Sequence, residues 1–283
     1  VIKSLFLALV GMAAAPVIGG LVSGLDRILT ARCQSRKGPP LLQPFYDAAK
    51  LWGKEVTATN PWQAFCAVMY LAAAAASVGL LAAGSDLLLI FFVQAVGAVF
   101  LVVGAYAVPS PYSQIGAQRE LLQMVAYEPL IILTIVGIRL MTGSFRVDSV
   151  FAMEQPLLFK LPLLFLVLGY ALTIKLRKSP FDISASHHAH QEIVRGVYTE
   201  FSGPYLALIE IAHWYEVVLV LGLVSLFWAT SVWGMILLVA VTYAAEILVD
   251  NVSSRMTWRW MLGSVWLSGL VLSGINLVWL YVR

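Results

Sequence analysis

Glu210 and His213 stand three residues apart within an apolar run, and Glu216 follows about one turn later. On a helix the first two share a face. A carboxyl and an imidazole held this way can pass a proton, because burial and neighbours bring both groups within reach of neutral pH. Other carboxyls sit in other apolar runs: Glu128 between Tyr127 and Pro129, and Glu246 with Asp250, four apart. An ionisable group at a membrane helix centre costs roughly 2.5–3.5 kcal/mol even on the cheaper scales. Several in one chain point to charge that moves. The competing reading is structural: the same groups pair with Arg119, Arg195, Arg255 or Arg259 and brace a bundle. For any single residue the two readings stand level. For the set, charge movement is the stronger.

Glu192, Arg195 and Glu200 occupy a more polar stretch, where they serve either as acid sites or as an ordinary solvated face. His187, His188 and His190 invite a metal reading, but neighbours in sequence point to different faces and only His187 and His190 can converge. No carboxylate–histidine helix motif completes such a site, so no metal ligands are assigned. Cys33 and Cys66 are isolated, without the spacing of a zinc site or an iron–sulfur cluster. No dinucleotide fingerprint, phosphate loop or serine nucleophile with its base emerges. The chain is therefore expected to carry no catalytic residue and no redox chemistry of its own.

The elements that hold these groups must be membrane helices. Hydrophobic residues make up 60% of the 283 and charged residues 12%, about half the ~25% of soluble domains; mean hydropathy is +0.87. Eight segments are apolar and long enough to span a bilayer, roughly 4–25, 62–83, 86–108, 121–142, 157–175, 205–228, 232–250 and 261–282. The runs are continuous, not alternating, which excludes a membrane β-barrel. The expected architecture is an all-α polytopic membrane protein, a bundle of eight transmembrane helices with cytoplasmic interfacial segments, forming one domain over 1–283. The first apolar run reads as a span and not as a cleaved leader. Small residues in series, Ala72 to Ala76 and Gly97 with Gly104, suit close helix packing in lipid. Net charge is +3, and the basic loops carry no nucleic-acid motif, so that class of partner falls away.

Lysine and arginine divide unevenly between the two sides. Thirteen of the 18 fall on one side: Arg27, Arg32, Arg36, Lys37, Lys50, Lys54, Arg119, Lys175, Arg177, Lys178, Arg195, Arg255 and Arg259. Lys3, Arg139, Arg146, Lys160 and Arg283 fall on the other. By the positive-inside rule the first side is cytoplasmic, with both termini outside and the chain in the cell's inner (cytoplasmic) membrane.

Two long loops lie on the basic side, about 26–61 and 176–204. In the first, Phe45, Ala48, Ala49 and Trp52 recur at helical spacing with Asp47, Lys50 and Lys54 on other faces, which suggests a short amphipathic helix along the interface, the alternative being a solvated loop whose basic groups are drawn to the membrane. In the second, Ser179-Pro180-Phe181-Asp182 predicts a helix start: serine as N-cap, proline in the first turn, aspartate at the positive end. Ser202-Gly203-Pro204 breaks the chain before the sixth span. The stretch between is too short for a domain and long enough for a docking surface.

Arg36-Lys37-Gly38-Pro39, Tyr127-Glu128, Ser179-Pro180-Phe181-Asp182, Glu192 and Tyr198-Thr199-Glu200-Phe201-Ser202-Gly203 together resemble the complex I membrane subunit of the NuoH type. That subunit abuts the quinone cavity and has relatives in energy-converting hydrogenases. The resemblance covers nearly the whole chain. The run from Ala189 to Gly196, the Leu208-Ile209-Glu210 placement and the compact length are more similar to the membrane-bound group 4 nickel–iron (NiFe) hydrogenases, especially the Ech type. Quinone-reducing relatives carry the sixth-span carboxylate nearer position 213; here His213 stands there and Glu210 lies one turn before it.

The resemblance implies a membrane anchor and coupling subunit with no cofactor of its own. The NiFe centre and the iron–sulfur clusters would sit in partners: soluble large and small hydrogenase subunits and an iron–sulfur subunit, with an antiporter-like membrane subunit alongside. By matching to the family's motifs, Glu128, Glu192, Glu200 and Glu210 belong to its acidic channel, and Arg36, Asp182 and Arg195 shape its docking face, with Lys37 beside Arg36. His213, Glu216, Glu246 and Asp250 join the ion path on depth and charge alone. Two other functions stay open: a quinone-site subunit of a complex I-like NADH dehydrogenase, and a freestanding secondary transporter. Against the transporter, neither half of the chain repeats the other. Carboxylates suit H⁺ and Na⁺ alike.

Overall fold

The computed structural model describes residues 2–56, 60–185 and 195–282. Among them it is helical throughout: α1 Ile2–Cys33, α2 Gln43–Trp52, α3 Pro61–Ala82, α4 Leu87–Tyr106, α5 Pro111–Thr142, α6 Val147–Phe151, α7 Pro162–Lys175, α8 Gly203–Ser225, α9 Val232–Val252 and α10 Trp258–Val282. Seven of these, α1, α3, α4, α5, α8, α9 and α10, are long and apolar enough to cross a membrane. The remaining expected span, 157–175, forms as a 3₁₀ turn at Leu157–Phe159 followed by the 14-residue α7. At 1.5 Å per residue α7 is about 21 Å long, short of the ~30 Å hydrocarbon core. Most of α7 is buried in protein, where a shorter helix and its non-helical approach are tolerated at membrane depth.

At 32 residues each, α1 and α5 outrun the spans expected from hydropathy. Each is about 48 Å long. Arg27, Arg32 and Arg119 therefore ride on helical extensions instead of loops.

The chain forms two compact units, the first from Val1–Ala83, Phe92–Leu121 and Ile183–Leu219, the second from Gly84–Phe91, Leu122–Asp182 and Val220–Arg283. In the first, α1 packs on α3 and α2. Pro16 lies inside α1 and has no N–H to give Met12. The Met12 carbonyl freed in this way accepts the Tyr215 hydroxyl of α8 at 2.7 Å. The amphipathic helix expected around 45–52 is α2. Its Phe45 ring packs against Trp214, 5.1 Å between centroids, and lies flush on α1 at Gly20, where a methyl would strike it.

In the second unit α7 packs against α10 and α9. Asn276, fully buried on α10, caps α7 from a distance: its Oδ1 accepts the N–H groups of Leu163 and Leu164, both at 3.0 Å, and its Nδ2 donates to Lys160 O at 3.2 Å. These are helix-terminal groups that must find partners away from water.

The segment after α7 departs from expectation. Ser179-Pro180-Phe181-Asp182 opens no helix, and residues 176–185 are buried, not solvated. Tertiary bonds take the groups a helix start would have used. Ser179 N–H donates to Asp250 Oδ1 at 2.8 Å, Phe181 O accepts Gln123 Nε2 at 2.5 Å, and Arg255 Nε donates to Asp182 Oδ1 at 2.8 Å. Pro180 O accepts Met256 N–H at 2.9 Å. The Phe181 ring packs edge-on to Tyr170, itself bonded to Ser264 of α10 at 2.8 Å.

Candidate functional site

In the first unit Glu210 of α8 faces a cavity of about 250 Å³ that it shares with Arg27, Asp47, Lys50, Lys54 and Arg195. Glu210 Oε1 accepts Arg195 Nη2 at 3.1 Å, and both side chains keep some contact with solvent. Across the cavity Arg27 Nη1 meets Asp47 Oδ2 at 2.7 Å, and Gln43 Nε2 donates to Asp47 Oδ1 at 2.8 Å. Burial pushes the Asp47 carboxyl up, but the Arg27 and Gln43 hydrogen bonds outweigh it and hold the group below its ordinary 3.8.

Six residues further, nearly two turns along, α8 carries a wholly buried acid. Glu216, 0% exposed, lies with its Oε2 3.6 Å from His213 Nδ1. Its Oε1 accepts Gln94 Nε2 of α4 at 2.5 Å, and Gln94 Oε1 in turn accepts Ser77 Oγ of α3 at 3.0 Å. Ser77, Gln94 and Glu216 thus form a hydrogen-bonded polar chain through an apolar core, with the His213 imidazole beside its carboxyl end. Of these groups the Glu216 carboxyl and the His213 imidazole are the ones that can take up and release a proton; the Gln94 amide orients the carboxyl.

Glu200 is half-buried just after the 3₁₀ turn Gly196–Tyr198. That turn is held by Val197 N–H to Ser184 O at 3.1 Å and lies directly on Gly116 of α5, where any side chain would collide with the Gly196–Val197 backbone. Glu192, together with His187, His188 and His190, lies outside the described residues. Arg36 and Lys37 are exposed and, with Arg32 and Ser35, line an open depression. Arg195, expected on a docking face, pairs with Glu210 and stays partly exposed.

The second unit collects the other acids. Glu128 is half-buried on α5 with Lys175 as its cationic neighbour; Lys175 Nζ lies 3.4 Å from Tyr127 Oη. Glu246 is buried on α9, reached by Thr173 and under the influence of Lys178 and Asp250. Lys178 sits over the Tyr243 ring, 4.6 Å from its centroid. Asp182, 3% exposed, is clamped by Arg255 through both its carboxylate and its carbonyl, so it is buried within this chain and not offered to a partner. Among the described residues no three His, Cys, Asp or Glu side chains converge on a common point.

The profile of the NADH dehydrogenase family matches residues 5–281. The chain belongs to that family. Its NADH dehydrogenase relatives include Hydrogenase-4 component C of Escherichia coli (strain K12), 32% identical over 205 residues, 66% of this chain and 64% of that one. The H subunit of the NADH-quinone oxidoreductase of Dehalococcoides mccartyi (strain CBDB1) is 30% identical over 80% of this chain and 69% of its own. Formate hydrogenlyase subunit 4 of Escherichia coli (strain K12) is 28% identical over 72% of this chain and 69% of its own. The chain thus spans about two thirds of the length of these relatives. Among solved structures, a chain of the membrane-bound sulfane sulfur reductase, an archaeal respiratory membrane complex, matches with a TM-score of 0.86 at 22% identity, covering 98% of this chain and 99% of that one. It shares the fold.

As a NADH dehydrogenase family member of the NuoH type, the chain is a multi-pass membrane subunit of the complex I-like and group 4 hydrogenase lineage. Within that frame the sequence reading passes over three residues of the first unit. Glu120 is 3% exposed and accepts Ser184 Oγ at 2.5 Å; it lay hidden behind Arg119 at an expected span edge. Gln94 and Ser77 were legible in principle, because an amide or hydroxyl inside an apolar span must find a partner. They carry no charge, so a search for ionisable groups misses them.

Proposed function

We propose that this chain is the membrane anchor and coupling subunit of an energy-converting group 4 nickel–iron hydrogenase of the Ech type. Electron transfer between reduced ferredoxin and protons takes place in soluble partners that carry the NiFe centre and iron–sulfur clusters. This chain docks them at its basic face, around Arg36 and Lys37, on the cytoplasmic side, and relays the resulting charge to proton or sodium movement. The relay runs along Glu200, Glu210, His213 and Glu216 in the first unit and Glu128, Glu246 and Asp250 in the second, with Glu192 as an expected further member. The observation that carries the reading is the buried Ser77–Gln94–Glu216 hydrogen-bond chain with His213 beside its carboxyl, on the same helix as a partly exposed Glu210 that lines an open cavity. A carboxyl at a water-filled opening with a second, buried carboxyl and an imidazole further along the same helix suits a proton entry. The two hydrogenase-related relatives support the assignment of partner chemistry.

The test replaces Glu210 by Gln in the assembled complex, reconstituted in vesicles. Hydrogen evolution from reduced ferredoxin should persist while coupled ion uptake falls at least about 100-fold, the lower end of what one positioned proton-transfer group contributes. Normal uptake by the Gln variant removes Glu210 from the path. A second reading, the quinone-site subunit of a complex I-like dehydrogenase, is favoured by the 30% identity to a NADH-quinone oxidoreductase component over 80% of the chain. It requires quinone-dependent turnover by the purified complex, which the hydrogenase reading does not.

A further inference from the structure

We infer that the cavity between α1, α2 and α8 binds the phosphate headgroup of an anionic phospholipid. Four cations line it, Arg27, Lys50, Lys54 and Arg195, against two carboxylates, Asp47 and Glu210. Both arginines are already committed, Arg27 to Asp47 at 2.7 Å and Arg195 to Glu210 at 3.1 Å. The two lysines are left as the net charge of the site. Lys54 takes no ion-pair partner among the described residues, and Lys50 acts only from a distance on Asp47. Two exposed ammonium groups, one in the last turn of α2 and one just beyond its end, both lining a cavity, are suited to a phosphate as point charges.

The site also lies at the depth of lipid headgroups. The apolar run of α1 ends at Leu25, and Asp26 and Arg27 follow it directly. Beside the cavity α2 exposes Tyr46 at 57% and Trp52 at 56%, the residue types that settle at the membrane–water boundary. Leu51 and Pro44 on the same cavity wall are apolar. The volume, about 250 Å³, falls below the ~300–1,000 Å³ of pockets that enclose a drug-sized ligand. It admits a headgroup and leaves acyl chains outside, against lipid. Basic pockets between membrane helices on one face bind anionic headgroups for these same reasons. The cavity is the one Glu210 lines, but the inference rests on its lysines and its surroundings and does not require Glu210 to carry ions.

The experiment delipidates the purified complex and incubates it with vesicles of phosphatidylcholine alone or mixed with phosphatidylglycerol, then quantifies the retained lipid. Phosphatidylglycerol should be enriched over phosphatidylcholine. Lys50→Gln should lower that enrichment about fivefold and Lys50→Gln with Lys54→Gln about 30-fold, while Lys3→Gln leaves it unchanged. In the unaltered protein a phosphatidylglycerol analogue with a photoreactive headgroup should label residues 43–54, which guards against variants that fail to assemble. Equal retention of the two lipids, enrichment that survives the double substitution, or labelling elsewhere overturns the site. Loss of phosphatidylglycerol to inorganic phosphate alone assigns the cavity to a soluble anion and overturns the lipid.

Discussion

Glu216→Gln separates charge from shape at the deepest acid of the first unit. Glu216 is wholly buried, accepts Gln94 Nε2 at 2.5 Å and lies 3.6 Å from His213 Nδ1. A glutamine keeps an acceptor for Gln94, so this hydrogen bond can survive the change and the loss is at most about 1 kcal/mol. Glu216→Leu instead strands the buried Gln94 amide, which costs about 1–3 kcal/mol in a place no solvent reaches. Thermal unfolding of the purified complex should therefore rank wild type above Gln and Gln above Leu. Ion uptake in vesicles should follow a different rule. Neither variant holds an exchangeable proton on a carboxyl at 216, so both should lose coupled uptake while hydrogen evolution continues. If Glu216→Gln takes up ions in the wild-type ratio to hydrogen, the carboxyl is only a hydrogen-bond acceptor and is not on a path. Equal stability of Gln and Leu would refute the hydrogen-bond order from Ser77 through Gln94 to Glu216.

Three further outcomes are expected. Arg255→Met leaves the Asp182 carboxylate buried without its guanidinium, a loss of about 3–5 kcal/mol, and should speed amide exchange at Met256, whose N–H is bonded to Pro180 O; unchanged exchange refutes the clamp. Arg36→Glu with Lys37→Glu should reduce co-purification of cluster-bearing partners without altering membrane insertion, and intact assembly removes the basic depression from docking. Asp47 is held below 3.8 in the folded chain, so the stabilisation from its pairing with Arg27 is present above that value and disappears as pH falls through the lower folded one. Since both partners are more than a third exposed, the pair is worth about 0.2–1 kcal/mol, and amide protection of α2 should fall by at most about fivefold on acidification; a larger loss shows that another group holds α2.

Membrane helices were legible because their signal is local. Twenty apolar residues in sequence need no tertiary information to be read as a span, and the amphipathic α2 followed from four side chains at helical spacing. The failures share one physical cause. Ser179-Pro180-Phe181-Asp182 has every local mark of a helix start, yet its N–H, carbonyl and carboxylate groups bond to Gln123, Asp250, Arg255 and Met256, between 58 and 73 residues away for the side chains. The length of α7 was overread for a related reason: Pro162 fixes its start, and the cap comes from Asn276, which no window around 157–175 contains. Among candidate site residues, acids were visible by charge, whereas their partners were visible only by contact. Arg119, a suspected brace for the acids, donates to the Ile183 carbonyl at 3.2 Å, while Glu120 beside it holds Ser184.

What each buried acid is bonded to decides which of the two sequence readings it fits. A guanidinium stays protonated at any relevant pH, so a carboxylate pinned to arginine cannot pass its proton on through that partner. Asp182 with Arg255 is such a pair: 3% exposed, bonded twice, and built to hold a segment in place. Glu216 is the opposite case. The neutral Gln94 amide bonds to it and the His213 imidazole lies beside it, and neither of these two is a permanent cation. Glu210 falls between, because its arginine partner is 43% exposed and stands on an open cavity, where an anion can compete for the guanidinium. Bracing and charge movement are therefore not rival accounts of the whole chain. Under the proposed function they divide its acids by partner, and the path is to be sought among those not pinned to a guanidinium.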